Sequence, residues 1–168
     1  MNSVLKVINY IYSPGSLQPR LFLHSHIHMH HFPPLCIGSC CSKVHSDYIT
    51  SKLGNICWLG DIQKDSRSAS ELFFDHIQTL GENLFVSFDI DAVSGCYAPG
   101  VSAVATVGLS SNDAIEIAQV SGRDPRVKLM DLSEFNPLIE DHRTGRLTAS
   151  VFYYFCIGVA QRMDDKLR

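Results

Sequence analysis

Two carboxylates stand one residue apart at the end of an apolar run, in Val86-Ser87-Phe88-Asp89-Ile90-Asp91-Ala92-Val93. If Asn83 to Asp91 is a strand, alternation puts Asp89 and Asp91 on one face with Ser87 behind them. Like charges so placed repel each other, and burying them is costly unless something positive lies between. A divalent cation meets that need, and paired carboxylate oxygens suit magnesium or manganese better than zinc. The competing reading is that the acids cap the next turn or pair with an arginine such as Arg143 or Arg146. D-x-D is short, so the pattern alone leaves both readings open.

Glu134 lies in a second such place, Asp131-Leu132-Ser133-Glu134-Phe135-Asn136-Pro137. A carboxylate at a strand end can hold a cationic guanidinium or formimino group. Taken alone, Glu134 reads as a solvated acid before a turn. Glu140 and Asp141, beside His142 and Arg143, read as a solvated loop without chemistry. The run His24-Ser25-His26-Ile27-His28-Met29-His30-His31 would align alternate histidines on one face if extended, as a transition-metal site requires. No strand–loop context supports a site there, and a polar tract that binds metal adventitiously explains it as well. There is no G-x-S-x-G elbow, no G-x-G-x-x-G and no Walker loop, and no cysteine stands in a recognisable arrangement with a histidine. No residue is therefore assigned as a catalytic nucleophile.

The elements that must position these acids alternate between short apolar runs and helical stripes. Leu35-Cys36-Ile37-Gly38 and Asn55-Ile56-Cys57-Trp58-Leu59 read as strands, the second opened by Gly54-Asn55. Ser68 to Leu80 carries Leu72, Phe73, Ile77 and Leu80 at helical spacing and closes at Gly81. Ser110 with Asp113 forms a capping box before Ala114, Ile115, Ile117 and Ala118, and Ser121-Gly122 reads as that helix's end. Arg126 to Ser133 is a further strand stopped by Pro137, and Arg143 to Arg162 holds a last helix. Strands alternating with helices predict a mainly parallel α/β sheet covered on both faces. Ligands bind outside the carboxyl ends of such strands, so Asp89, Asp91 and Glu134 are expected on one rim. Residues 1–34 do not follow this rhythm and are set apart as a divergent, His-rich segment from the α/β portion, 35–168.

Composition narrows the function classes. At 168 residues and 45% apolar content the chain is long and apolar enough for one folded domain. A net charge of -3 gives no electrostatic reason to expect nucleic acid or an anionic membrane as partner. The longest apolar run, from Val151 to Ala160, is too short to span a bilayer, and Met1 to Tyr12 lacks the pattern of a secretory signal. A cytoplasmic location is expected. In that compartment the six cysteines read as structural, with Cys57 and Cys156 as buried thiols.

Ser87-Phe88-Asp89-Ile90-Asp91-Ala92-Val93 with Ala98-Pro99-Gly100-Val101-Ser102 resembles the S-x-D-x-D…APG signature of the ureohydrolases, the arginase, agmatinase and formiminoglutamase family. Asp131 to Pro137 resembles that family's D-[IL]-x-E-x-N-P motif. His45-Ser46-Asp47-Tyr48 and Thr144-Gly145-Arg146-Leu147-Thr148-Ala149 are most similar to the formiminoglutamase-like branch. The resemblance runs from about residue 35 to the end. It implies an arginase-like three-layer α/β/α fold and a two-manganese centre. A metal-activated hydroxide there attacks a guanidino or formimino carbon and expels an amine or ammonia. It also implies Asp89 and Asp91 as metal ligands, Glu134 as the group that orients the cationic end of a small substrate, and homo-oligomers. The family's G-G-x-H and D-A-H-x-D motifs are not in this sequence. Val7-Ile8-Asn9 resembles the strand leading into the second of them, but Tyr10-Ile11-Tyr12-Ser13 follows. The expectation is a fold incomplete on its N-terminal side, holding manganese weakly and hydrolysing little. A non-catalytic interaction or regulatory protein of the same fold is the alternative.

Overall fold

The computed structural model describes residues 2–7, 35–38, 43–51, 55–80 and 83–167. In chain order the elements are β1 (Asn2–Val7), β2 (Leu35–Gly38), α1 (Lys43–Ser51), β3 (Asn55–Trp58), α2 (Leu59–Ile62) and α3 (Ala69–Gln78). They continue with β4 (Asn83–Asp89), a 3-10 turn (Ile90–Ala92), α4 (Ser111–Arg123), β5 (Val127–Ser133) and α5 (His142–Asp164). The five strands form one sheet in the order β3-β2-β1-β4-β5, and every neighbouring pair is parallel. The α/β class expected from the alternation is the class observed. One strand, β1, comes from the segment before residue 35 and sits in the middle of the sheet. The rest of that segment, including His24–His31, lies outside the described residues.

Strand order reverses at β1. The chain moves one way from β1 to β2 and β3, then crosses back to β4 and continues outward to β5. Right-handed crossovers put α1 on one face and α3 and α4 on the other. The crevice outside the carboxyl ends of β1 and β4 is thus a switch point, the place where such sheets bind ligands.

Helix starts follow their local chemistry. Ser68 Oγ accepts from the Glu71 N–H while the Glu71 carboxylate accepts from the Ser68 N–H, a capping box that opens α3. Ser110 and Asp113 do the same for α4, as their spacing predicts. The core forms where α3, α4 and α5 meet β4: Phe73, Ile77, Leu84, Val86, Phe88, Ile117 and Val151 are all fully buried.

Three expectations about elements need correction. The strand expected to run to Asp91 stops at Asp89, because the Asp91 N–H turns to donate to Asp89 Oδ1 at 2.9 Å and starts the 3-10 turn. Ser121-Gly122 does not end α4, which continues to Arg123. Both residues are buried where α5 crosses: a Cβ on Gly122 would fall on the Phe155 carbonyl oxygen, and one on Gly158 on the Gln119 carbonyl oxygen. Glycine serves close approach here rather than termination. Cys156 is exposed, since α5 gives the core only one stripe, with Leu147, Val151 and Gly158 on it. Cys57 is half-buried, and burial pushes its thiol pKa up, helped by the charges of Asp61 and Asp65.

Candidate metal and substrate site

β4 and β5 run side by side, with Asp89 in register with Ser133, so their carboxyl ends open onto the same rim. Asp89 ends β4, Asp91 lies in the turn that follows, and Glu134 is the first residue past β5. The fold brings the three acids together, although Asp91 arrives by a turn and not by strand alternation. Asp89 and Asp91 are both buried, as is Ser87 behind them. Asp89 also caps the turn, so one part of the structural reading of this pair is realised. Capping uses one of its oxygens and does not account for burying a second carboxylate beside it.

Electrostatics set Asp91 apart. Burial, reinforced by the nearby charge of Glu134, pushes its carboxyl up to about 7, while a hydrogen bond from the Ala103 backbone pulls the other way. Glu134 itself is exposed and accepts a hydrogen bond from Ser102 Oγ at 2.9 Å. Its backbone has φ 68°, the left-handed region that glycine enters freely and glutamate at a cost. Strain held at an exposed carboxylate on a sheet rim is the kind found where a side chain must be aimed.

The loop between the 3-10 turn and α4 reaches these acids through the Ala103 backbone, which hydrogen-bonds Asp91, and through Ser102, which donates to Glu134. It is tied down by Ser94 N–H to the Leu109 carbonyl, Gly95 N–H to Ala105, and Leu109 N–H back to Ala92. Further anchors join it to the start of α5. The Gly100 N–H donates to Thr144 Oγ1 at 2.7 Å, the Asn136 N–H donates to the Gly100 carbonyl, and Val101 pairs with Phe135. Gly100 is forced by space, because a Cβ there would fall on the Glu140 carbonyl oxygen. Arg143 Nη1 donates to the Cys96 carbonyl at 3.0 Å, so this arginine holds the loop.

Glu140, which sequence reasoning left in a solvated loop, caps α5. It accepts from the Arg143 and Thr144 backbone N–H groups and from Thr144 Oγ1, and these bonds hold its carboxyl down to about 2. Thr144 is fully buried at the centre of this knot. Its position inside Thr144-Gly145-Arg146 was visible in the sequence, but its partner Gly100 is 44 residues away and only folding joins them.

The donor set agrees with manganese in kind. Two buried carboxylates supply hard oxygens of the type that metal takes. Their number is smaller than a closed site needs: among the described residues no group of three or more His, Cys, Asp or Glu is arranged so that it could hold a metal ion. This chain would therefore contribute a share of a metal shell.

Comparison with known proteins agrees with the motifs. Residues 36–158 match the arginase family model. A formimidoylglutamase of Aromatoleum aromaticum is 34% identical over 83 residues, 49% of this chain and 24% of that protein. One from Vibrio vulnificus is 35% identical over 86 residues, 50% of this chain and 24% of that protein. The matched segments thus span about a quarter of each relative's length. Among solved structures, Trypanosoma cruzi formiminoglutamase with manganese superposes with TM-score 0.77 and 31% identity, over 95% of this chain and 57% of that one. Bacillus subtilis formimidoylglutamase superposes with TM-score 0.75 at 18% identity, which speaks to the fold alone.

Proposed function

The chain belongs to the arginase family, and from that premise we propose that it carries the carboxyl-terminal share of a manganese-dependent hydrolase site for linear amidines, of the formimidoylglutamate or guanidino type. The observation that carries the reading is the burial of Asp89 and Asp91 together at the switch point of the sheet, beside Glu134. Asp89 and Asp91 are the residues that would hold metal. Manganese bound there would supply an activated water and a Lewis acid for an amidine carbon.

The chain's own residues do the positioning. Glu134 offers a carboxylate to the cationic amidinium or guanidinium end of a small substrate, and Ser102 fixes its direction through the bond to Oε2. Gly100 and Thr144 tie down the loop that carries Ser102 and Ala103. Hydrolysis of the C–N bond adds water across the carbon and releases an amine or ammonia.

The family's G-G-x-H and D-A-H-x-D motifs do not occur in the sequence. The reading therefore includes little or no turnover by this chain on its own. No helix among the described residues is long and apolar enough to cross a membrane.

Elemental analysis after manganese loading and extensive desalting tests the site. A bound fraction that disappears in Asp89→Ala and in Asp91→Ala supports it. Metal retained in both variants, or none in the folded wild type even at millimolar manganese, would overturn it. Release of amine or ammonia from formimidoylglutamate and from guanidino compounds is measured on the same samples.

A further inference from the structure

Glu134 stands between two pairings of opposite sense. Ser133 before it pairs in parallel with Asp89, and Phe135 after it pairs antiparallel with Val101. The chain changes from one pairing to the other within this single residue, and its backbone there is left-handed, φ 68°. A strained conformation of this kind persists only where its surroundings hold it from both sides. On one side the sheet does so. On the other the hold comes from a short antiparallel ribbon, residues 100–102 against 134–136.

The ribbon has three rungs. The Asn136 N–H donates to the Gly100 carbonyl at 2.8 Å, Val101 bridges Phe135, and Ser102 Oγ donates to Glu134 Oε2 at 2.9 Å. Its far end is fixed to α5. The Gly100 N–H donates to Thr144 Oγ1, whose own proton goes to Glu140 Oε2, both at 2.7 Å. A Cβ on Gly145 would meet the Phe135 ring at 3.3 Å, so that ring lies against the first turn of the same helix. Thr144 and Gly100 are both buried, and a valine in place of Thr144 would fill the space while leaving the Gly100 N–H without this acceptor.

We propose that Thr144 is the positioning residue for Glu134. By pinning Gly100 it keeps the ribbon paired, and the paired ribbon holds the Glu134 backbone left-handed and its carboxylate on Ser102. The use of that carboxylate for a cationic substrate rests on the function proposed above, whereas the mechanical link from Thr144 to Glu134 does not. Asp89 and Asp91 are placed by β4 and the turn after it, outside the ribbon, so Thr144 serves retention of substrate and not of metal.

Urea unfolding of Thr144→Val and Thr144→Ser tests the mechanical link without any ligand. Glu134→Gly raises the unfolding midpoint in the wild-type background, where the strain is held. In the Thr144→Val background the ribbon has already let go, and the same change brings little or no gain. The gain returns in Thr144→Ser, which keeps the hydroxyl. An effect of Glu134→Gly that is equal in all backgrounds overturns the proposal. Equilibrium dialysis of agmatine against the manganese-loaded chain tests the functional link. Thr144→Val weakens retention about tenfold and Thr144→Ser no more than about twofold, with manganese per chain unchanged. Agmatine retention that falls only in step with manganese or with the folded fraction marks a merely structural role and overturns the proposal. If Thr144→Val does not fold, Glu140→Gln weakens the same clamp while keeping the hydroxyl and carries both comparisons. A wild type that retains neither manganese nor agmatine refutes the function proposed above, and the urea cycle then decides the link by itself.

Discussion

Glu134 is the residue at which function and stability pull in opposite directions. Its left-handed backbone, φ 68°, disfavours any side chain with a Cβ. Glu134→Gly is therefore expected to raise stability by about 1 kcal/mol while weakening retention of amidinium compounds. Urea unfolding and equilibrium dialysis of agmatine against the manganese-loaded chain read the two effects separately. A loss of stability would mean that the Ser102 bond outweighs the strain. Asp124 shows the contrary case, a buried acid that strengthens the fold. Burial alone would raise its pKa, but side-chain and backbone hydrogen bonds from Arg126, the shortest at 2.6 Å, hold it below the usual range. A depressed folded pKa contributes stability above the unfolded value and loses it as pH falls through the folded one. Asp124→Asn should cost about 2 kcal/mol at neutral pH. As pH falls through the depressed pKa of the folded-state carboxyl it should approach wild type, which paired thermal melts would reveal.

At the scale of elements, the contact of α4 with α5 depends on two missing side chains. Gly122 and Gly158 let each helix backbone reach the other, and added methyl groups would meet carbonyl oxygens instead of flexible side chains. Gly122→Ala or Gly158→Ala should cost about 1–3 kcal/mol, despite alanine's better helix propensity, since rigid backbone has to move. A midpoint that rises in either variant would show that the crossing is looser than the structure has it. This contact matters to the site because the first turn of α5 carries Thr144, which is held by Glu140 just before the helix and anchors the loop at Gly100. The Ser110–Asp113 capping box was readable because it depends on residues three positions apart. The end of α4 was misread because Ser121-Gly122 has the composition of a stop and the packing of a core.

For the molecule as a whole, β5 is the consequential element. Among the described residues it is an edge strand, and Leu129 on it is 56% exposed, on the face that also carries Phe85 and Asp131 by register. An apolar edge of this kind invites pairing with other chains. Leu129→Lys should suppress light scattering on concentration and shift unfolding free energy by no more than about 0.5 kcal/mol. A substantial destabilisation would instead mean that Leu129 contributes to the core. The partial overlap with longer relatives is consistent with such an edge, since the matched structure continues well beyond the region shared.

The sequence by itself determined the α/β class, the apolar run that leads into Asp89, the Ser110–Asp113 cap of α4 and the family, because these follow from short-range periodicity and from motifs written in consecutive residues. Tertiary structure decided that β1 lies between β2 and β4, that Asp91 joins Asp89 through a turn, and that Thr144 grips Gly100. It also decided which face of α5 is left apolar and open. Those features depend on strand order and on contacts between residues tens of positions apart. A one-dimensional pattern carries no signal for them, because their free energy comes from burial and close packing that exist only once the chain is folded.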